Sequence, residues 1–177
     1  NAGCPALPPP ACASGYVVNT CPCELNVPGD YTLTSNLVPY SDTCITIPTS
    51  GSDSTLDCEG HTITGTGVGN GIYLTSATGV TVKNCTVNSY ETGIYLDSSS
   101  NNNLISNNAS SNSFSGIFLN SSTDNNLTSN NASSNVVGIY LYVSSDNNNL
   151  TSNNASSNTG IGIILWYSSI NNNLKGN

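Results

Sequence analysis

The sequence contains no arginine and no methionine, and its only cationic side chains are Lys83 and Lys175. Charged residues make up 7% of the chain, against roughly 25% in a typical soluble domain. With ten acids the formal net charge is −8, so a phosphate backbone would gain almost no electrostatic attraction from this chain. We therefore exclude nucleic acid as a partner. No apolar run is long enough to cross a membrane, so we also expect no membrane span.

Large apolar side chains are scarce as well, since the 177 residues include two phenylalanines and one tryptophan. A wide globular core is therefore not expected, and the length fits one domain. Six of the eight prolines fall within residues 1–29. We predict a Cys/Pro-rich, disulfide-stapled N-terminal cap over residues 1–29 and a regular repeat domain over residues 30–177.

Cysteine is plentiful but confined to the first half of the chain. No CxxC pair or zinc-type spacing accompanies the cysteines, and the one histidine is His61, so the pattern favours an oxidised, secreted protein over a metal site or cofactor. The chain starts at Asn1 without methionine, and we interpret it as a mature extracellular or cell-surface form after signal-peptide removal. An odd number leaves one thiol free, buried or intermolecular, and the connectivity stays open. The disulfide candidates are Cys4, Cys12, Cys21, Cys23, Cys44, Cys58 and Cys85.

An internal repeat organises the remainder of the chain. The tetrapeptide GIYL or a close variant begins at residues 71, 93, 116, 138 and 162. The leucine of a second motif, NNL, recurs at 104, 127, 150 and 174, and NNAS begins at 107, 130 and 153. Three independent markers therefore share one period of 22 to 24 residues.

Each repeat is typical of one coil of a β-solenoid, because its segments are β-type and punctuated by Gly and Asn. Successive coils stack at about 4.8 Å, which aligns equivalent residues in ladders. We predict that the stacked asparagines adopt the left-handed backbone at the bends and bond to one another through their amides. Ile and Leu of GIxL, Leu of NNL and Ala of NNAS are predicted to fill a narrow core.

The segments GDYTLTSNL, STLDCEGHTITGTGVGNGIYL and VTVKNCTVNSYETGIYL resemble NosD-type parallel β-helix repeat proteins, over about residues 29–177. The resemblance implies an all-β, right-handed parallel β-helix. It also implies a secreted surface protein of an archaeon or bacterium with a structural, adhesive or carbohydrate-related role. Because this fold carries many functions, membership alone does not fix one.

Candidate catalytic acids are few. Asp57 and Glu59 lie two apart, so on one strand they would face the same side, near Asp53 and His61. A polysaccharide lyase would also need a base, and neither lysine lies near these acids in the sequence. We therefore expect no enzyme activity. Calcium at the turn acids Asp97, Asp124 and Asp146 is disfavoured, because their offsets to the following leucine differ.

Alternation within GIxL predicts a column of aromatic side chains on the outer face. Such a column marks a contact surface for sugars or another chain, unless loops cover it or the alternation is reversed. Trp166 and Tyr167 extend it. NNNLKGN stops just after Leu174, midway through a coil, so either the chain is a fragment of a longer protein or another molecule completes the coil by head-to-tail stacking. The interface candidates are Tyr73, Tyr95, Phe118, Tyr140, Trp166, Tyr167 and Leu174.

N-glycosylation sequons are dense, and we expect that those within a stacked ladder cannot carry a glycan. Asn120, at a turn, is predicted to be the most accessible. The candidates are Asn84, Asn108, Asn120, Asn126, Asn131, Asn149 and Asn154.

The sequence favours an extracellular structural protein that assembles with itself, head to tail, into a cell-surface filament, sheath or layer. The alternative is a surface β-helix that binds or cleaves carbohydrate, with surface glycans as its partner.

Overall fold

A computed structural model describes residues 17–177, which form an all-β parallel solenoid of about seven turns. The predicted fold is therefore confirmed. Residues 17–177 contain no α-helix, and their one helical element is the 3-10 turn Thr49–Gly51. Within the described range, no helix has the length and apolarity that crossing a membrane requires. Most of the predicted N-terminal cap lies outside the described residues, and its boundary stays a prediction.

The strands are short and follow one another around each coil. The first nine are β1 (Val17–Val18), β2 (Cys23–Glu24), β3 (Asp30–Leu33), β4 (Leu37–Tyr40), β5 (Ile45–Pro48), β6 (Thr55–Asp57), β7 (Thr62–Gly65), β8 (Asn70–Thr75) and β9 (Thr81–Lys83). The next nine are β10 (Thr86–Asn88), β11 (Thr92–Asp97), β12 (Asn103–Ile105), β13 (Ser115–Asn120), β14 (Asn126–Thr128), β15 (Val137–Tyr142), β16 (Asn149–Thr151), β17 (Ile161–Leu165) and β18 (Asn173–Lys175).

Three parallel sheets make the sides of the solenoid. The NNL strands belong to an eight-stranded sheet in the order β1-β3-β6-β9-β12-β14-β16-β18. The GIxL strands belong to a seven-stranded sheet, β17-β15-β13-β11-β8-β5-β2, which we call the GIxL sheet. The third side is the three-stranded sheet β10-β7-β4. Above β10 this side continues only as isolated bridges through Asn108, Asn131 and Asn154, because the NNAS segments are too bent to form strands.

The core is narrow and, as predicted, built mainly of aliphatic side chains, with Tyr31 and Tyr90 also buried in it. Ile72 and Leu74 of β8 are fully buried, and their equivalents in β11, β13 and β15 stack on them in register. Leu104, Leu127 and Leu150 fill the opposite side with no exposed surface, and the alanines of the first two NNAS segments are also fully buried. Each coil therefore contributes one layer of apolar side chains to a continuous column.

From residue 102 onward, asparagine completes the core at the corners of the coils, in three ladders whose inner members are buried. In the first ladder, the Asn125 Oδ1 accepts the backbone N–H of Asn102 at 2.9 Å, and its Nδ2 donates to the Ser99 carbonyl at 3.0 Å. The side chain thus serves backbone groups that no strand partner reaches at the bend. No buried side-chain N or O in residues 17–177 lacks a hydrogen bond. The ladders are Asn102–Asn125–Asn148–Asn172, Asn107–Asn130–Asn153–Asn177 and Asn112–Asn135–Asn158.

The left-handed backbone lies one residue before each ladder asparagine. Asp124 has φ +57°, Ser129 has φ +57° and Ser134 has φ +60°. The sequence-based prediction was right about the amide ladders but wrong in placing the left-handed conformation on the same asparagines. One residue cannot both adopt the left-handed conformation and join the inward-facing ladder. The left-handed residue directs its side chain outward, and the residue after it directs its side chain inward.

Disulfides connect adjacent coils in the N-terminal half. Cys21 pairs with Cys44 and Cys58 pairs with Cys85, at sequence separations of 23 and 27 residues, or one coil each. Cys23 is also disulfide-bonded. Cys4 and Cys12 lie outside the described residues, so the unpaired thiol stays a prediction. The asparagine ladders begin where the disulfides end.

Candidate functional site

The outer surface of the GIxL sheet carries a continuous line of aromatic side chains. Strand pairing places Tyr73, Tyr95, Phe118 and Tyr140 in one register, which we call the aromatic column. The flanking isoleucine and leucine of each strand are fully buried, so the alternation has the predicted sense. The first three rings are partly exposed, and Tyr140 is 8% exposed.

The rings of the aromatic column stack on one another along the solenoid axis. The centroid distances are 5.2 Å for Tyr73–Tyr95, 4.9 Å for Tyr95–Phe118 and 4.8 Å for Phe118–Tyr140. The last two pairs are within 14° of parallel. The ring faces are therefore covered by neighbouring rings, and the edges point to solvent. A sugar that stacks on an aromatic face finds few free faces in this column.

A second outward column runs beside the first and changes character along the molecule. It passes through Thr75, Asp97, Asn120 and Tyr142 in register. Trp166 extends it, since this residue directly follows the register partner of Leu141. The outer surface of the GIxL sheet is accordingly mixed polar and aromatic in its lower coils, and in its upper coils it is aromatic apart from Ile164, the register partner of Tyr140.

The mixed part is organised around the Asp97 carboxylate. The Tyr73 hydroxyl donates to Asp97 Oδ2 at 3.2 Å, and Asn120 Nδ2 donates to Asp97 Oδ1 at 3.0 Å. Burial raises the pKa of Tyr73 and Tyr95, and the negative charge of Asp97 raises both further. This part of the surface offers hydroxyl, amide and carboxylate groups beside ring edges.

The aromatic part is a cluster of rings in edge contact. The ring centroid of Tyr142 lies 5.5 Å from that of Tyr140 and 5.1 Å from that of Tyr167, and in both pairs the ring planes are steeply inclined to each other. The ring centroids of Trp166 and Tyr167 are 5.4 Å apart. Trp166 is 54% and Tyr167 58% exposed. Burial raises the pKa of Tyr140, with further contributions from Tyr142 and Tyr167 and none from a carboxylate.

The candidate acids near His61 are arranged differently from the sequence-based expectation. Glu59 lies beyond the end of β6 in a left-handed turn, with φ +49°, so it does not share a strand face with Asp57. Lys83 is the register partner of Asp57 one coil later, and its Nζ lies 3.1 Å from Asp57 Oδ2. Neither lysine lies near these acids in the sequence, but distance along the chain did not indicate distance in space. Because one coil separates the two residues in sequence, they are neighbours in space.

The Asp57 carboxyl has several partners. Burial by itself raises its pKa, but the Glu59 N–H, the Asn84 amide and the Lys83 ammonium stabilise the charged form, so the pKa lies below its ordinary value. These contacts describe a surface ion pair and a turn, which is a structural arrangement.

We expect Asp57→Asn to lower the free energy of unfolding by less than about 1 kcal/mol at neutral pH, because the ion pair is partly solvated. Because the pKa of Asp57 is lower in the folded state, its ionisation stabilises the folded protein at any pH above the unfolded-state pKa, which is about 3.9. This contribution to the free energy of unfolding is lost as the pH falls through the folded-state pKa. Urea unfolding of both proteins from pH 7 to 2 checks this. A difference that persists at the lowest pH would contradict it.

The sequence model of the family described as "Periplasmic copper-binding protein (NosD)" matches residues 17–177. The chain belongs to the NosD family. No curated protein matches the chain, and no solved structure does. The periplasmic location in the family's description agrees with the extracytoplasmic location expected from the cysteines, while the signal peptide stays a prediction.

The turn acids of this NosD-family chain have ordinary structural partners. Asp97 accepts the two bonds given above, and Asp146 Oδ1 accepts the Ile170 N–H at 2.7 Å. Asp124 and Asp53 have left-handed backbone at turns. Over residues 17–177 no three His, Cys, Asp or Glu side chains are grouped as a metal site requires.

The sequons of the NosD-family solenoid lie on its surface, several in outward amide ladders. Asn131 donates to Asn108 Oδ1 at 2.9 Å, and Asn154 donates to Asn131 Oδ1 at 3.0 Å. Asn126 bonds to Asn103, Asn149 accepts from Asn173, and Asn84 bonds to Asp57. Asn120 ends β13 and is only partly exposed, with its amide committed to Asp97. Glycosylation of all seven stays a prediction.

Proposed function

We propose that this chain is an extracellular structural protein, a rigid solenoid subunit of a cell-surface filament, sheath or layer. The observation that supports the proposal is the set of in-register ladders along the axis. Aliphatic, asparagine and aromatic side chains each form a continuous column, so neighbouring coils are joined on every side of the core. Such a body resists bending, and its repeats add length without adding a cleft.

The proposed subunits associate by head-to-tail stacking of coils, with the aromatic residues as further contacts. Strands paired in parallel along the axis present backbone N–H and C=O groups to the next coil, and a coil of another subunit can accept them as well as a coil of the same chain. Two surfaces are therefore candidates, the coil edge and the GIxL sheet.

Electron microscopy of the native protein without denaturant tests this function. We expect regular filaments or sheets whose diffraction shows a repeat of about 4.8 Å along the axis. Asp57→Asn is the control variant and should assemble like the wild type, because this residue pairs within its own chain. Single particles at every concentration would contradict the structural function.

Carbohydrate binding is the second candidate, and the Asp97 network favours it. A carboxylate, an amide and tyrosine hydroxyls lie beside apolar ring edges, a mixture that suits polyhydroxylated ligands. The covered ring faces weaken this candidate. Carbohydrate cleavage is weaker still, since Asp57 is paired with Lys83. Co-sedimentation with insoluble polysaccharides distinguishes binding from the structural function.

The copper binding in the family's description does not fit the residues of this chain. Copper sites use thiolate, thioether and imidazole ligands. The sequence has no methionine and a single histidine, and the cysteines among residues 17–177 are disulfide-bonded. We therefore derive no function through copper.

A further inference from the structure

Two tyrosines of the aromatic column are neighbours in adjacent coils, and we call them the phenol pair. Tyr73 of β8 and Tyr95 of β11 are register partners, and their ring centroids lie 5.2 Å apart. Phe118 separates Tyr95 from Tyr140, so no other neighbours within the aromatic column are both phenols. Strands β8 and β11 each pair with a strand on either side. The phenol pair therefore lies inside the stack of coils.

A carboxylate is bonded to the phenol pair and can take up a proton. The Tyr73 hydroxyl donates to Asp97 Oδ2 at 3.2 Å, and Asn120 Nδ2 donates to Asp97 Oδ1 at 3.0 Å. Burial raises the pKa of Tyr73 and the charge of Asp97 raises it further, so the phenol keeps its proton at neutral pH. A phenol that loses an electron becomes a strong acid, and a bonded carboxylate accepts the proton in the same step. This arrangement favours one-electron oxidation of Tyr73.

Oxidative cross-links already join coils in this part of the molecule. Cys21–Cys44 and Cys58–Cys85 each connect one coil with the next. Such bonds form and persist in oxidising compartments. Cys58 follows β6 of the eight-stranded sheet, whereas the phenol pair spans the same two coils on the GIxL sheet. A second covalent bond on this side would hold the two coils in register around more of their circumference.

We propose that Tyr73 and Tyr95 form a dityrosine cross-link, a carbon–carbon bond between their Cε atoms, with Asp97 as the group that takes up the Tyr73 proton. The cross-link joins adjacent coils of one chain. It goes beyond the proposed structural function and does not depend on assembly into filaments.

The reaction is an oxidative coupling that removes two hydrogen atoms in total. Each phenol loses one electron and its hydroxyl proton, and the two phenoxyl radicals then join Cε to Cε. The ring hydrogen at each joined carbon moves as a proton to the phenol oxygen, which restores both aromatic rings. The two electrons and two protons reduce one molecule of hydrogen peroxide to two of water, through a catalyst that oxidises phenols one electron at a time.

Rotation of the rings brings the reacting carbons together. The two ring planes are now inclined by 30°, which is closer to face-to-face than to edge-to-edge. The χ2 torsion of an aromatic side chain is soft, and both rings are partly exposed, so both can turn. Their Cε atoms then point toward one another along the solenoid axis. Strands in register about 4.8 Å apart keep these atoms within reach.

Oxidation of the intact protein at low concentration tests the cross-link. The oxidant is a ruthenium polypyridyl sensitiser under visible light, with persulfate as its electron acceptor. After reduction of the disulfides and proteolysis, mass spectrometry should find a linked pair of peptides that contain residues 73 and 95. The linked pair should be lighter than the two free peptides by two hydrogen atoms. Links between other tyrosines alone, or between different molecules alone, would overturn the proposal.

Tyr73→Phe is the decisive variant, and Tyr142→Phe is its matched control. Each change keeps the ring and removes one hydroxyl, but Tyr142 contacts Tyr140 and Tyr167 rather than the phenol pair. Tyr73→Phe should abolish the link to residue 95, whereas Tyr142→Phe should leave its yield unchanged. Circular dichroism shows whether both variants fold. Equal yields from the two folded variants would overturn the proposal.

Asp97→Asn tests the carboxylate as a positioning residue for proton transfer. The amide retains the shape of the side chain but cannot take up a proton. Coupling between residues 73 and 95 should slow by about tenfold or more, since positioned proton acceptors typically contribute at least this much. Added imidazole buffer should restore part of the rate in Asp97→Asn and leave the wild type unchanged. A variant that couples at the wild-type rate would overturn the assignment of Asp97.

Discussion

Asn130→Ala is expected to lower the free energy of unfolding by about 3 to 5 kcal/mol, because one alanine leaves several buried groups unpaired at about 1 to 3 kcal/mol each. Asn130 is 1% exposed. Its Oδ1 accepts the backbone N–H and the Nδ2 of Asn107, both at 3.0 Å. Its Nδ2 donates to the Leu104 carbonyl at 2.8 Å and to Asn153 Oδ1 at 2.9 Å.

Asn126→Ala is the matched control for this change. Asn126 lies in the same coil, but its side chain is exposed and makes one bond of 3.3 Å, to Asn103. Its removal should cost less than about 1 kcal/mol, since water replaces the lost partner. Urea unfolding followed by circular dichroism measures both. Similar losses in the free energy of unfolding for the two variants would show that the inward-facing asparagines do not stabilise the corner of the coil.

The fold could be predicted because the repeat and the alternation can be identified from the order of the residues alone. Three markers with one period define the coil, and alternation within GIxL correctly places Ile72 and Leu74 inside and Tyr73 outside. Both inferences need only the order of residues along one strand and the equivalence of successive coils.

The corners were harder to predict, because neighbouring asparagines share the same period. In the NNAS segment at residue 130, Asn130 points inward and Asn131 outward, and no periodic signal separates them. The separation comes from the left-handed residue Ser129, whose conformation bends the chain at the corner. Serine is not a residue type that favours this conformation, so it gave no signal.

The surface chemistry was only partly accessible from sequence. Asp57 and Lys83 are register partners 26 residues apart, a longer coil than the 22 to 24 residues of the later repeats, so the repeat period alone did not place Lys83 beside Asp57. The orientation of the aromatic rings had no sequence signal. Whether faces or edges meet solvent depends on side-chain rotation, and stacking between coils decides it. The change of the second column from Asp97 to Tyr142 was likewise visible only once the register was known.

The glycine of GIxL is the second position where a small change should have a large effect. A Cβ on Gly116 would lie 2.6 Å from the Ala109 carbonyl oxygen, 2.7 Å from Asn135 Nδ2 and 2.9 Å from the Ala132 Cβ. Two of these atoms belong to one hydrogen bond, since Asn135 Nδ2 donates to the Ala109 carbonyl at 3.1 Å. Glycine is therefore required at this position, because the strand of the GIxL sheet packs directly against the hydrogen bond between the asparagine of one coil and the backbone of the coil before it.

We expect Gly116→Ala to cost about 3 kcal/mol and to lower Tm by roughly 6 to 12 °C, because neither backbone nor ladder can retreat without losing a bond. Gly67→Asn is the control. Gly67 has φ +98°, where any side chain is strained, but open space around its Cβ position, so the loss there, about 1 to 2 kcal/mol, should come from the backbone alone and stay below that of Gly116→Ala. Thermal unfolding followed by circular dichroism measures both. A Gly116→Ala protein as stable as the wild type would mean that the corner adapts, and that the tight approach of sheet and asparagine ladder is not what holds adjacent coils in register.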